Sequence, residues 1–338
     1  MLKFVGDICL SDNDFDKGFG VGSMMLKKNN PFDHISKKKN EIWVGNMECV
    51  LSDSTIRTGY NSKCFRESPE ILEFDNLIDC YSVANNHIME HGLSAYQETL
   101  DTIKRTGKEY VGSKAQKTIV LDDSGKRVAI SSFSLRCDNT GFEPDYWYNP
   151  ELKELKAESE RYSDVDIKIA YIHWGVEFIP YPYLEQQKLA HYLVDIGYDL
   201  IIGVHPHVLQ GLEIYKGKPI YYSLGNFVFN MAYPDTRIGL VVSYDPIKQV
   251  ASHEYVEIDS TYSPKLISQD EVSNSLRIHN LSPIIGRNSN IEQYVRDAGF
   301  YLKKYRRYHH MAIIKNLFKY DFSFLRGMIS MFIKSRIS

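Results

Sequence analysis

The chain has 338 residues, 43% of them hydrophobic and 25% charged, the composition of a globular protein with one large domain and an appendage, or two domains. Five cysteines without a CxxC spacing argue against a disulfide framework, and no signal-length run and no stretch of eighteen uninterrupted apolar residues argues for secretion or membrane spanning, so a cytoplasmic protein is expected. Net charge is −3, yet residues 301–338 carry nine Lys or Arg against Asp321 alone; that +8 leaves −11 on the rest and marks the tail as a contact for something anionic.

In chain order, Lys3–Leu10 reads as a strand carrying Gly6-Asp7, and Asn40–Glu48 as a second ending in Gly45-Asn46-Met47-Glu48. Ser68-Pro69-Glu70 has the form of a helix start with Ser68 as N-cap. Leu77–Ala84 is a third strand, and Asn85-Asn86-His87 follows it. Leu93, Tyr96, Leu100 and Ile103 share one face of a helix over Ser94–Thr106, which Gly107 stops. Strands over Lys117–Leu121 and Arg127–Phe133 flank the hairpin signal Asp122-Asp123-Ser124-Gly125. An aromatic loop spans 138–150, a charged helix Glu151–Tyr162, and a strand Asp166–His173 that runs into Trp174-Gly175-Val176-Glu177. After an amphipathic helix over Leu184–Ile196, the run Asp199-Leu200-Ile201-Ile202 reads as a buried strand ended by Gly203. Another strand ends at Tyr222-Ser223-Leu224-Gly225-Asn226, and two more lie near 239–244 and 252–258. Strands alternate with helices to about residue 210 and hairpins dominate beyond it, the pattern of a layered α/β protein.

Five strand ends carry groups that ligate metals: Asp7, Glu48, Asn86-His87, His173 and the pair His205/His207. At a spacing of two, in extended or loop backbone, both imidazoles of the pair leave the same side of the chain and can converge on one point. Each residue alone has a plain structural use. Asp7 can cap a turn, Asn85 and Asn86 can form an Asx-turn, and His173 can be a satisfied core histidine. Together they outnumber those uses, and in α/β sheets sites collect at the carboxyl ends of strands. The mixed oxygen and nitrogen set suits Mn, Fe or Zn better than Mg or Ca, and two such ions can hold both the attacking and the leaving oxygen of a displacement at phosphorus.

The series Gly6-Asp7, Asn46-Met47-Glu48, Ala84-Asn85-Asn86-His87, His173-Trp174-Gly175-Val176-Glu177, Gly203-Val204-His205-Pro206-His207 and Tyr222-Ser223-Leu224-Gly225-Asn226-Phe227, in order from residue 2 to about 245, resembles that of the capsule-synthesis CapA family (poly-γ-glutamate capsule biosynthesis), within the calcineurin-like metallophosphatase superfamily. The resemblance implies a four-layer α/β/β/α sandwich, assigned to residues 1–258, with its metal site at one sheet edge; residues 259–338 fall outside the resemblance and read as a basic, mostly helical extension. It implies Asp7, Glu48, Asn86, His173, His205 and His207 as metal-site residues, and His87 as the acid that protonates the leaving group or steadies the transition state. Asn85, Glu177 and Asn226 fall in the same motifs and are expected to contact substrate. Glu90 stands where the family usually has Asp, and is expected to orient His87. Cys9 stands where a metallophosphatase has the His of Asp-x-His, and Glu48 where it has a bridging Asp. Cys9 reads as a buried strand cysteine or as a soft ligand.

The expected activity is metal-dependent hydrolysis of phosphoester or related bonds in the synthesis of a capsule or exopolysaccharide of the poly-γ-glutamate type. The alternative is a non-catalytic component of a synthesis or export assembly that binds an anionic polymer. In the extension, Tyr294–Tyr308 reads as a helix with Lys303, Lys304, Arg306 and Arg307 among Tyr301, Tyr305 and Tyr308. Leu325, Met328, Ile329, Phe332 and Ile333 then lie at helical spacing, so residues 320–338 either touch the inner face of an anionic membrane peripherally or pack on the domain. No nucleic-acid motif is present, and no nucleic acid is expected as a partner.

Overall fold

The structure, a computed structural model, describes residues 1–286, 290–320 and 325–326. The chain runs β1 (Leu2–Ile8), α1 (Val21–Leu26), β2 (Ile42–Met47), β3 (Val50–Leu51), β4 (Arg66–Glu67), β5 (Cys80–Ser82), α2 (Leu93–Arg105), β6 (Glu109–Val111), β7 (Thr118–Asp123), β8 (Lys126–Ser134), α3 (Leu152–Arg161) and β9 (Ile167–His173). It continues through α4 (Leu184–Asp195), β10 (Leu200–Val204), β11 (Leu212–Tyr215), β12 (Lys218–Tyr221), β13 (Asn226–Val228), β14 (Ile238–Asp245), β15 (Val250–Ile258), β16 (Pro264–Ile267), α5 (Ile278–Leu281) and α6 (Ile291–Lys315).

Two sheets carry the fold. One has the order β16-β15-β14-β1-β2-β5-β6, with β13 alongside β1; the other has β11-β12-β10-β9-β8-β7. The β1–β2–β5–β6 and β8–β9–β10–β12 pairings are parallel, and hairpin strands close the edges antiparallel. The faces of each sheet alternate as the pleat requires. Phe4 and Val44 of the first sheet meet Ile169, Tyr171 and Ile202 of the second in a core between them. Val5 and Met47 point the other way, into a core shared with Met25 of α1 and Tyr96 and Leu100 of α2. Ala170, Ile172 and Ile201 face Leu155 of α3 and Ala190 and Leu193 of α4. The result is the expected α/β/β/α sandwich with a C-terminal helix.

The chain does not leave the sandwich at residue 258. β16 pairs with β15, and Val272, Leu276, Ile278 and Leu281 enter the core between the sheets. Tyr301, Leu302, Tyr305 and Tyr308 of α6 pack on the core outside the first sheet. Among the described residues no helix is long and apolar enough to cross a membrane. The segment 320–338, expected at a membrane surface, lies outside the described residues except for Tyr320, Leu325 and Arg326.

Two local expectations are corrected. Ser68-Pro69 opens not a full α-helix but a short 3-10 turn over Pro69–Phe74, and its Ser68 side chain makes no cap bond. Gly203 does not end its strand: β10 continues to Val204, and a β-carbon at 203 would overlap Tyr222 O and Trp174 Nε1. The glycine is there because a neighbouring backbone and an indole press on the strand.

Asp16, in the loop after β1, is buried, with Asn13 N–H donating to its Oδ1 at 2.7 Å and Asn230 Nδ2 donating to Oδ2. Burial pushes its carboxyl up to about 8, against the Asn230 hydrogen bond and with added repulsion from Asp12. The unfolded carboxyl titrates near 3.8. Between pH 3.8 and about 8 the unfolded chain releases a proton that the folded chain keeps, so this group lowers stability as pH rises. Asp16→Asn is expected to leave the melting temperature unchanged at pH 4 and to raise it by about 3 °C or more at pH 8, as read by calorimetry.

Candidate metal centre

Parallel pairing brings the ligand-bearing strand ends to one edge of the sandwich. Asp7 sits near the end of β1, Glu48 one residue past β2, Asn86 and His87 in the turn after β5, His173 at the end of β9, and His205 and His207 just past β10. The metal-site residues expected from the sequence are all buried there.

Glu48 Oε1 is the hub. It lies 3.6 Å from His207 Nε2 and 3.9 Å from Nε2 of both His173 and His87. Two groups have ligand atoms within 4.8 Å of one another: Glu48, His205 and His207, and Asp7, Glu48 and His173. Asp7 Oδ2 accepts from His205 N–H at 3.1 Å and lies 3.3 Å from His207 Nδ1. Asn46 Nδ2 donates to Asp7 Oδ1 at 2.8 Å and to Glu48 Oε2 at 3.2 Å, fixing the two carboxylates relative to each other. Asn86 Oδ1 faces His173 Nε2 at 2.7 Å.

The His205/His207 pair converges for a reason other than strand alternation. Both residues have positive φ, 97° and 58°. Such backbone is disfavoured for a side-chain-bearing residue and persists where surrounding structure enforces it, characteristically at functional sites. The two rings end 5.8 Å apart, and His205 lies 4.5 Å from the His173 ring.

The donor set fits a metal ion. Both ring nitrogens of His205 are buried with no hydrogen-bond partner, and so is Glu48 Oε1. A buried polar atom left unpaired costs about 1–3 kcal/mol, and an unpaired imidazole next to an unpaired carboxylate oxygen is explained by a group that both bind. Burial holds His173 and His205 well below the ordinary imidazole range, opposed at His173 by the Asp7 charge and reinforced at His205 by His173. They are therefore neutral, the form that ligates. Burial, then the Asp7 charge, pushes Glu48 well above the usual carboxylate range. Burial would raise Asp7 too, but the hydrogen bond and charge of His207 hold it below. A cation at the hub would let both carboxylates ionise.

His87 is set apart from these ligands by its own support. Its Nδ1 faces Glu90 Oε1 at 2.7 Å, and Glu90 is paired with Arg57 and accepts from Asn139 Nδ2 at 3.1 Å. Burial would raise Glu90, but His87, Asn139 and Arg57 together bring it down to about 2. An ionised Glu90 keeps the proton on Nδ1 and points Nε2 into the site. Phe65, at φ 51°, stacks on the ring with centroids 3.8 Å apart and planes 18° apart.

The three residues expected at the substrate are placed differently. Asn85 Oδ1 accepts from His87 N–H and Ile88 N–H while its Nδ2 donates to Met47 O, an Asx-turn that ties this loop to β2 and aims its neighbours. Asn226 Oδ1 faces His207 Nδ1 at 2.9 Å and its Nδ2 donates to Thr236 O, so the whole amide orients His207. Glu177 is half-buried, and its charge bears on His207 and Glu48. Cys9 is buried, with Sγ 3.3 Å from Ser11 Oγ, and belongs to neither ligand group.

Four contributors had no role in the sequence reading. Arg57 lies 33 residues from Glu90, and Asn139 lies 52 from His87, so no local pattern announces either. Asn46 was part of a motif without an assigned task. Arg136, two residues past β8, is exposed and makes no ion pair among the described residues, while its charge bears on His173 and His205. The signal that could have found it is its position, since β8 runs parallel to β9 and ends beside His173.

The family model described as "Bacterial capsule synthesis protein PGA_cap" matches residues 1–231. The chain is similar to "PGA biosynthesis protein CapA" of Bacillus subtilis, 31% identical over 249 residues, which cover 69% of this chain and 63% of that protein. It is similar to "Capsule biosynthesis protein CapA" of Bacillus anthracis, 35% identical over 176 residues, 48% of this chain and 43% of that one. The matches thus span about half the length of these curated relatives. Among solved structures, a phosphatase from Mycoplasma pneumoniae is 14% identical with a TM-score of 0.49, covering 77% of this chain and 95% of its own.

Proposed function

The chain belongs to the bacterial capsule synthesis protein family PGA_cap, and from that premise we propose that it is a metal-dependent hydrolase serving synthesis of an anionic capsule polymer of the polyglutamate type. The observation that carries the reading is His205, buried with both ring nitrogens unpartnered beside the equally unpartnered Glu48 Oε1. Asp7, Glu48, Asn86, His173, His205 and His207 would hold two divalent ions, of Mn, Fe or Zn type by donor chemistry. When bound, such ions polarise the scissile group and make water a stronger nucleophile.

The chain's own residues do the rest. His87 Nε2 faces the centre and delivers the proton to the leaving group, with Glu90 stabilising the charged imidazole and Arg57 and Asn139 holding Glu90. Asn226 and Asn46 keep His207 and the carboxylates in register. Arg136, at the rim, receives the anionic part of the substrate.

The test is elemental analysis of protein purified without added metal, with parallel hydrolysis of nitrophenyl phosphate mono- and diesters. Two equivalents of Mn, Fe or Zn with turnover lost on chelation support the reading. Bound metal without phosphoester turnover moves the reaction to another bond, such as an amide of an acidic polymer. Absence of both overturns the hydrolase and leaves polymer binding.

A further inference from the structure

A cavity of about 300 Å³ lies between the last turns of α6 and the loops after β1, β13 and β15, separate from the metal ligands. Its charged lining is one-sided. Arg237, Lys315 and Lys319 border it, and none of the three makes an ion pair with any described carboxylate. Like charges repel, and a fold gathers three of them round one hollow to advantage when an anion joins them. Asp16 is the one acid in the lining, and burial keeps its carboxyl protonated at neutral pH, so it cancels none of this charge. The remaining walls are uncharged: aromatic, amide and small or aliphatic side chains. Tyr262 and Tyr308 line the hollow, Lys319 sits 4.9 Å from the Phe19 ring centroid, and Asn230 holds the floor through Asp16.

The cavity is also tied to the metal centre. Asn230 directly follows Phe229, whose ring lies 5.0 Å from that of His207. Tyr308 packs on Tyr233, Tyr233 on Phe178, and Phe178 on His207, with centroids 5.6, 6.2 and 6.3 Å apart. Phe178 is itself stacked under Tyr305 of α6 at 4.2 Å. Floor and wall of the cavity are therefore each a short step from a residue of the metal centre.

We propose that this cavity is a second anion-binding site, holding a carboxylate- or phosphate-bearing segment of a chain whose other part reaches the metal centre. The link to the metal centre rests on the function proposed above; the anion site itself does not. Arg237 and Lys315 supply the charge, Tyr262 and Tyr308 the flat apolar contact for the chain between charged groups, and α6 the wall that closes the site.

The experiment is fluorescence anisotropy with a labelled short oligoglutamate, its neutral oligoglutamine counterpart and inorganic polyphosphate, on the full chain. Oligoglutamate or polyphosphate should bind, oligoglutamine should not, and added salt should weaken the complex. The double variant Arg237→Gln/Lys315→Gln should lose affinity by about tenfold or more, while the charge-preserving pair Arg237→Lys/Lys315→Arg should keep it within about threefold. Tighter binding of oligoglutamate assigns a carboxylate chain, and tighter binding of polyphosphate assigns a phosphorylated one. Equal binding of the neutral chain, unchanged affinity in the double variant, or no binding of either anion by the unaltered protein overturns the site. Metal content and nitrophenyl ester turnover, measured on the same samples, should not change in the double variant, so failure here is distinguishable from failure of the hydrolase reading.

Discussion

Alanine at both His205 and His207 is expected to remove the metal and to reduce hydrolysis by about a thousandfold or more, roughly 4 kcal/mol of transition-state stabilisation. The physical reason is local. His205 brings two unpartnered nitrogens, and His207 brings Nε2 to within 3.6 Å of the unpartnered Glu48 Oε1. The Glu48–His205–His207 group loses two of its three members in this variant, and the Asp7–Glu48–His173 group then stands without the pair. Stability should respond in a way that separates a metal site from an ordinary buried histidine pair. In the metal-free protein, deleting His205 removes two unsatisfied buried nitrogens, which offsets part of the cavity left behind. The metal-free variant should therefore melt within a few degrees of the metal-free parent. Added Mn or Zn should raise the melting temperature of the parent, by about 3 kcal/mol of stabilisation at a hundredfold excess over the dissociation constant, and should leave the variant unmoved. Equal metal content in parent and variant, by elemental analysis after dialysis, would falsify the ligand assignment.

His87→Asn is expected to leave metal content intact and to slow hydrolysis by about 10²–10⁴-fold where the leaving group is a poor one such as an alkoxide or amine. With nitrophenolate, which departs without a proton, the loss should be less than about tenfold. This contrast identifies a leaving-group acid and not a ligand. Glu90→Gln should show the same pattern in weaker form, since it removes the charge that fixes the Nδ1 proton and stabilises the imidazolium while leaving Nε2 in place. Arg57 acts one contact further out, through its pairing with Glu90. A uniform loss on both kinds of substrate, or loss of metal, would place His87 among the ligands instead.

Much of the site was legible because each donor follows its own strand. A strand that ends in Asp, Glu, Asn or His announces itself within a few residues, and parallel pairing then delivers all such ends to the same edge. That is why Asp7, Glu48, Asn86, His173, His205 and His207 could be named from sequence and are found together. The order of the motifs likewise carried the family, since six short patterns in register over some 240 residues leave little room for coincidence.

What the sequence could not show are the contacts that join residues far apart along the chain. Asn139 on the aromatic loop, and Arg57 and Phe65 in the segment before β4, reach His87 and Glu90 only because the sandwich folds those loops over the turn after β5. The left-handed backbone at His205 and His207 belongs to the folded loop, and the residue types there carry no mark of it. Asn226 looked like a substrate contact because its motif borders the site, yet register with Asp7 on β1 turns its amide onto His207. The basic tail could be counted from composition, but which of its charges face a hollow and which face water was decided by α6 packing its tyrosines on the core. Local sequence sets which groups stand at the end of each element; the packing of distant elements sets which of those groups remain without partners, and unpartnered buried groups are what a site is made from.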